Sequence, residues 1–197
     1  MKKILITGFE PFGGHTRNAS WEAVQGLPDC LGEIAVFKKQ LPVEYDRVAN
    51  CLKQLLEEIK PDAVICVGQA AGRSTITPEK IAINWKSGKI SDNAGVKYRG
   101  TPICEGPDAY FSSLPVEMIV SNLQNAGIPA AVSYTAGTYV CNCAMYCLLR
   151  LLKSTPVKGG FLHVPYTCEQ AASINAPSLP LSMLTHALEI AIQTIFN

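Results

Sequence analysis

Several things are scarce in this sequence, and each scarcity excludes a class of protein. No apolar run approaches the length of a membrane span, which rules out a helical membrane protein. Charge of one sign is also scarce. The 17 Lys and Arg nearly balance the 16 Asp and Glu, and the net charge is +1, with no long run of either sign. That balance argues against nucleic-acid binding on a basic face. The 8 cysteines include no C-x-x-C pair, so the zinc-ribbon and thioredoxin signatures are absent. The glycine-rich stretch Gly8 to Gly14 matches neither a Walker sequence nor G-x-G-x-x-G. There is no G-x-S-x-G elbow. Histidine is limited to His15, His163 and His186, so a general base has few candidates.

What is present describes one globular unit. The chain has 197 residues, 48% of them hydrophobic, enough for one α/β domain spanning 1–197 with a substantial core. The opening Met-Lys-Lys-Ile-Leu-Ile-Thr-Gly is basic, but its apolar run stops at Gly8, too short for a signal peptide. A cytoplasmic protein with buried free thiols is expected.

Strands are predicted at Lys2 to Thr7, Glu33 to Leu41, Asp62 to Val67, Glu79 to Trp85, Pro129 to Tyr134 and Gly159 to Val164. Gly8 and Gly68 are read as strand terminators. Helices are predicted from Trp21 to Gly26 with Ser20 as N-cap, from Pro42 to about Lys60, from Pro115 to Asn125, and after Pro180. A further helix follows the turn at Gly137, with Val140, Ala144, Cys147, Leu148 and Leu151 as its apolar stripe, and runs to about Lys153. The alternation of strands and helices predicts a mostly parallel sheet covered on both faces. In such sheets ligands bind beyond the carboxyl ends of the strands. Gly8, Gly68, the Gly137–Cys141 turn and His163 all fall there.

Cys141 is placed for chemistry. It sits in the first turn of its helix, off the apolar stripe, where unpaired amides and the positive end of the dipole favour a thiolate. A nucleophilic thiol needs a base. His163 ends a buried strand and is the best of the three histidines on geometry. His15 lies in a Gly-rich loop, and His186 lies mid-helix beside an apolar stripe, as a structural residue. Glu10, Glu79 and Asp92 are all candidates to orient the imidazole, and spacing does not choose among them. Phe9 and Phe12 flank Pro11 as a possible wall for a flat substrate group. Cys141, Cys143 and Cys147 are possible soft metal ligands, but Cys143 and Cys147 lie one helical turn apart on the core side, which disfavours that reading.

Several blocks, in order, carry a family resemblance. They are Gly8-Phe-Glu-Pro-Phe-Gly-Gly14 with Asn18 and Ser20-Trp-Glu22, Val67-Gly-Gln-Ala-Ala-Gly-Arg73, Glu79-Lys-Ile-Ala-Ile-Asn84 and Asp92-Asn93-Ala-Gly95. Gly106-Pro-Asp-Ala-Tyr-Phe-Ser112, Ser133-Tyr-Thr-Ala-Gly-Thr-Tyr-Val-Cys-Asn142 and Phe161-Leu-His-Val-Pro-Tyr166 complete the set. Together they resemble the pyroglutamyl peptidase I family of cysteine peptidases over nearly the whole chain. The resemblance implies a three-layer α/β/α sandwich with a mostly parallel twisted sheet. It implies a cytosolic exopeptidase that removes an N-terminal pyroglutamyl residue from peptides, without metal or cofactor, and a homotetramer or dimer. It implies Cys141 as nucleophile, His163 as base and acid, and Glu79 as the orienting carboxylate. It places Phe9, Phe12, Asn18, Gln69, Tyr139 and Val140 in the substrate pocket. Three positions depart from the family pattern. Cys143 replaces a histidine, Ala19 replaces a proline, and Lys89 takes the place of an arginine in the substrate-binding set, without that residue's planar fork. These departures leave two alternatives: a related thiol amidohydrolase, and a pyroglutamyl-binding homologue with weakened catalysis.

Overall fold

The structure is a computed structural model describing residues 1–197. In chain order the elements are β1 (Lys2–Phe9), α1 (Ala19–Gln25), β2 (Cys30–Leu31), β3 (Ile34–Leu41), α2 (Tyr45–Ile59) and β4 (Ala63–Gln69). Short strands follow as β5 (Thr77–Glu79), β6 (Ile81–Ile83), β7 (Lys86–Ser87), β8 (Arg99–Thr101) and β9 (Ala109–Phe111). The chain continues through α3 (Val116–Asn125), α4 (Val140–Leu152), β10 (Lys158–Val164), β11 (Tyr166–Thr167), α5 (Cys168–Ala171), β12 (Ser178–Leu179) and α6 (Leu181–Phe196).

The main sheet has the order β2-β3-β1-β4-β10-β5. Its four central strands are parallel, and the edge strands β2 and β5 run antiparallel to their neighbours. Strand side chains alternate between two apolar cores. Ile4, Ile6, Ile65, Val67, Leu162 and Val164 face the layer of α1, α3 and α6. Leu5, Phe9, Val64, Cys66 and Phe161 face the layer of α2 and α4. The result is the expected α/β/α sandwich. Each fully buried Ile or Leu in these cores contributes about 2 kcal/mol of transfer free energy.

The structure differs from the sequence-based expectations at several points. β1 and β4 run through Gly8 and Gly68 instead of ending there. Both glycines mark close approaches. A Cβ on Gly8 would lie 2.5 Å from the Trp21 Cα, and one on Gly68 would lie 2.7 Å from the Phe161 ring. The N-cap of α1 is Asn18, not Ser20. The Asn18 carbonyl oxygen accepts the Ser20 amide at 3.0 Å, while the Ser20 hydroxyl accepts the Phe9 amide at 3.1 Å and pins the helix to β1. The segment from Glu79 to Trp85 breaks at Lys80 into β5 and β6, which join different sheets. Pro129 to Tyr134 forms no strand, only bridges at Ala130 and Ser133, because β5 offers an edge of three residues. In α4 burial extends well beyond one stripe, and Leu151 is exposed instead of joining the core. The sharp end of α2 is as expected: Lys60 turns left-handed at φ 50°, directly before Pro61.

Candidate active site

The carboxyl ends of β1, β4 and β10 meet the start of α4. His163 and Phe161 project from β10 toward α4, and His163 pairs in register with Gly68 of β4. Gly68 has no side chain, and the gap admits the side chain of Cys141. The Cys141 sulfur lies 3.0 Å from the position a Gly68 Cβ would occupy. β5 runs antiparallel beside β10, with Glu79 opposite Phe161 and Thr77 opposite His163. Glu79 and His163 are therefore diagonal neighbours on one face, within reach of a long side chain.

The Glu79 Oε1 lies 2.7 Å from the His163 Nδ1. Glu79 is fully buried and His163 nearly so. Burial alone would raise the Glu79 carboxyl. The hydrogen bond and charge of His163, with Arg73 beyond, outweigh it and hold the group below the usual carboxylate range. An ionised Glu79 accepts the Nδ1 proton and so fixes the tautomer, which leaves the Nε2 lone pair as the basic site. Burial lowers His163 below the ordinary histidine value, against the raising effect of Glu79, so the imidazole is neutral near pH 7.

Burial also dominates at Cys141. It pushes the Cys141 thiol up to about 12, reinforced by the negative charge of Glu79. Burial thus works against the thiolate that the helix start favours. A helix N-terminus is worth about 0.3–1 kcal/mol at an exposed site, less than the cost of a buried charge. Cys141 is the second residue of α4, whose N-cap is Tyr139. The amides of Val140, Cys141 and Asn142 have no helical carbonyl four residues back and face outward from the helix start. The Asn142 side chain is fully buried and accounted for. It binds the Ile83 amide at 3.0 Å and the Ile83 and Trp85 carbonyls at 2.9 Å, clamping β6 to α4.

Beside the sulfur is a small, nearly closed cavity of about 10 Å³ lined by Phe9, Phe12, Asn18, Val43, Gln69, Tyr139, Val140 and Cys141. Phe12 and Tyr139 stand with ring centroids 6.0 Å apart, and Phe9 packs on Phe161 at 6.1 Å. The Tyr139 phenol, pushed up to about 12 by burial, donates to the Ser91 carbonyl at 2.9 Å. Asn18 is occupied by its capping role and by donating to the Glu10 carbonyl at 3.0 Å. The Gln69 Oε1 accepts from the Ala19 amide at 2.7 Å and from Gln170 at 3.0 Å, which leaves the Gln69 amide nitrogen for the cavity. No charged side chain lines this space. A larger cleft at the other end of the sheet, with Lys2, Asp62 and Phe196 in its walls, holds neither a thiol nor a histidine.

Other candidates fall elsewhere. Lys89 is exposed and does not line the cavity, although its neighbour Ile90 comes within reach of Gly13 at the mouth. Asp92 is buried, but it caps α2 from outside by accepting the Tyr45 amide at 2.9 Å. Glu10 accepts the Val43 amide at 3.0 Å and Asn93 at 2.8 Å, bracing the first loop. His15 is exposed, with its ring 5.8 Å from Tyr166, and His186 is exposed beside Glu189. Cys143 lies in the core, 3.8 Å from the Tyr45 carbonyl, and Cys147 is buried beyond it.

Sequence reasoning missed Arg73 and Val43. The Arg73 Nη1 lies 2.7 Å from the Glu79 Oε1, bonds the Thr77 hydroxyl, and its Nη2 reaches the Thr135 carbonyl at 3.0 Å. A buried carboxylate demands a cation, and Arg73 is one of the two basic residues near Glu79 in sequence. Its partner Lys80 pairs instead with Glu117. Val43 lies in the Pro42 turn, where no pattern marks it.

A family model described as pyroglutamyl peptidase matches residues 2–197. A pyrrolidone-carboxylate peptidase of Thermococcus onnurineus is 50% identical over 195 residues, covering 98% of each chain. That of Bacillus velezensis is 46% identical over 197 residues, covering 98% of this chain and 92% of the relative. Among solved structures, pyroglutamyl peptidase I of Bacillus amyloliquefaciens superposes with a TM-score of 0.96 at 45% identity, covering 98% of this chain and 94% of that one. Pyrrolidone carboxyl peptidase of Thermococcus litoralis superposes at 0.95 with 41% identity, covering 100% and 94%.

Proposed function

This chain belongs to the pyroglutamyl peptidase family, and from that premise we propose that it is a cysteine exopeptidase cutting the amide bond after an N-terminal pyroglutamyl residue. One observation carries the reading. The Cys141 thiol closes an uncharged cavity that offers an amide donor, with His163 and Glu79 on the same sheet edge. A pyroglutamyl group has no charged amine, because its nitrogen is closed into a lactam. Apolar walls with one or two amide partners suit it, and a carboxylate or metal would not.

The chemistry runs through a thioester. His163 Nε2 takes the thiol proton as the Cys141 sulfur attacks the scissile carbonyl. The outward amides at the start of α4, including that of Cys141, receive the oxyanion. The imidazolium returns its proton to the leaving amine, the C–N bond breaks, and the shortened peptide departs. Water, deprotonated by His163, then attacks the thioester, and the C–S bond breaks to give pyroglutamate and the free thiol. Glu79 holds the imidazole tautomer and balances its positive charge at each transfer.

No helix is long and apolar enough to cross a membrane. A cytoplasmic location is supported by 8 free cysteines, which suit a reducing compartment. Assembly as a homodimer or homotetramer is supported by the exposed Ile83, Trp85, Phe111 and Met118, large apolar side chains that a second copy would cover. Equilibrium sedimentation tests this, and a monomer at all concentrations would refute it.

The function is tested with a pyroglutamyl anilide and its N-terminal glutaminyl counterpart. Only the lactam substrate is expected to release its chromophore. Equal rates on the two would overturn the assignment in favour of a broader thiol amidohydrolase.

A further inference from the structure

We propose that Gln170 is a positioning residue for lactam recognition, fixing which end of the Gln69 amide faces the substrate. This rests on the pyroglutamyl peptidase reading and deepens it. The direction of each amide follows from backbone donors and acceptors, whose roles are fixed. The Thr167 amide donates to the Gln170 Oε1 at 3.2 Å, so the Gln170 nitrogen must lie on the other side. That nitrogen donates to the Arg17 carbonyl at 3.1 Å and to the Gln69 Oε1 at 3.0 Å. The Ala19 amide converges on the same Gln69 oxygen at 2.7 Å. With two donors on its oxygen, Gln69 presents N–H to the cavity beside Cys141. The pocket wall is thereby a donor, matched to the lactam carbonyl. The reversed amide would set an oxygen against that carbonyl and lose the hydrogen bond.

Gln170 also completes a capping box with Thr167 at the start of α5, so a purely local role must be separated from this one. The substitution Gln170→Glu does so. Glutamate serves as well as glutamine at that position of a capping box. Its carboxylate cannot donate, so it places an acceptor against the Gln69 oxygen and drives the amide to turn or move. The expected result is a KM for a pyroglutamyl anilide raised about tenfold, with kcat within about twofold of wild type and Tm little changed. Gln170→Met, which lacks both the cap and the donor, should raise KM in the same way and also lower Tm. A wild-type KM in both variants, whatever happens to Tm, would leave Gln170 a cap only and overturn the proposal. Failure of the wild-type protein to cleave the anilide at all is a different outcome. It would overturn the underlying function, and this inference with it.

Discussion

Burial sets the working state of Cys141, His163 and Glu79. The thiol is pushed up and the imidazole down, while the carboxyl is held low by His163 and Arg73. The sign of the pH dependence follows. The base is active when neutral, and His163 lies below its ordinary value of about 6.5. The acid limb of kcat/KM should therefore fall below that pH. Arg73 contributes to the lowering of His163 and also holds Glu79 ionised, so Arg73→Gln should move the acid limb to higher pH. A profile that does not move would show that Arg73 is an anchor only. Glu79→Gln has a sharper expectation. Arg73 and His163 Nδ1 both meet Glu79 at Oε1, so a glutamine oxygen there would keep both bonds and the tautomer, but the negative charge that balances the imidazolium would be gone. The imidazolium loses its counter-charge at each proton transfer, and kcat should fall by about a hundredfold or more. At this scale the sequence was informative about where Cys141 and His163 lie. Both sit where an element starts or ends, and such positions show in the hydrophobic pattern. Glu79 needed the family resemblance, because three carboxylates near the sheet edge looked alike. Arg73 escaped because its partner is identified only when β5 is seen to lie beside β10.

At the scale of elements, the site depends on a helix start descending onto a strand that lacks a side chain. Gly68 is central to this geometry. A methyl there would sit 2.7 Å from the Phe161 ring and 3.0 Å from the Cys141 sulfur. Gly68→Ala should cost about 1–3 kcal/mol of stability through overpacking. By displacing the sulfur it should also lower kcat about a hundredfold, because small misplacements at a reacting centre are that costly. Chemical denaturation and steady-state kinetics check the two effects separately. A stable, fully active Gly68→Ala protein would contradict the packing account. Glycine was read from sequence as punctuation, and at positions 8 and 68 that reading was wrong for a physical reason. Composition marks a glycine but does not distinguish a turn from a close approach. The same limit applies to Pro129 to Tyr134, which has strand-like residues but only bridges to a three-residue edge. The long helices α2 and α6 were legible because their apolar spacing is sustained over several turns. Val48, Leu52, Leu55 and Ile59 in α2 are buried and Leu56 is half-buried beside them, and Leu184, Leu188, Ala191 and Ile195 in α6 are all buried.

For the whole molecule, alternating strands and helices were enough to predict a parallel sheet between two helical layers. The strand order was not legible. Periodicity states which faces are buried, not which strand lies beside which. The antiparallel pairing of β5 with β10 illustrates this, because it brings residues 79 and 163 together across a separation of 84 positions. That long-range closure assembles the site. The central claim is that the Cys141 sulfur carries the pyroglutamyl group between two chemical steps. The most direct measurement is acid quenching of the protein during turnover of a pyroglutamyl anilide, followed by peptide mapping by mass spectrometry. The account predicts a pyroglutamyl thioester on the peptide bearing Cys141, absent from Cys141→Ser, whose hydrolysis should fall by about a thousandfold or more. An unmodified Cys141 peptide together with wild-type hydrolysis by Cys141→Ser would contradict it.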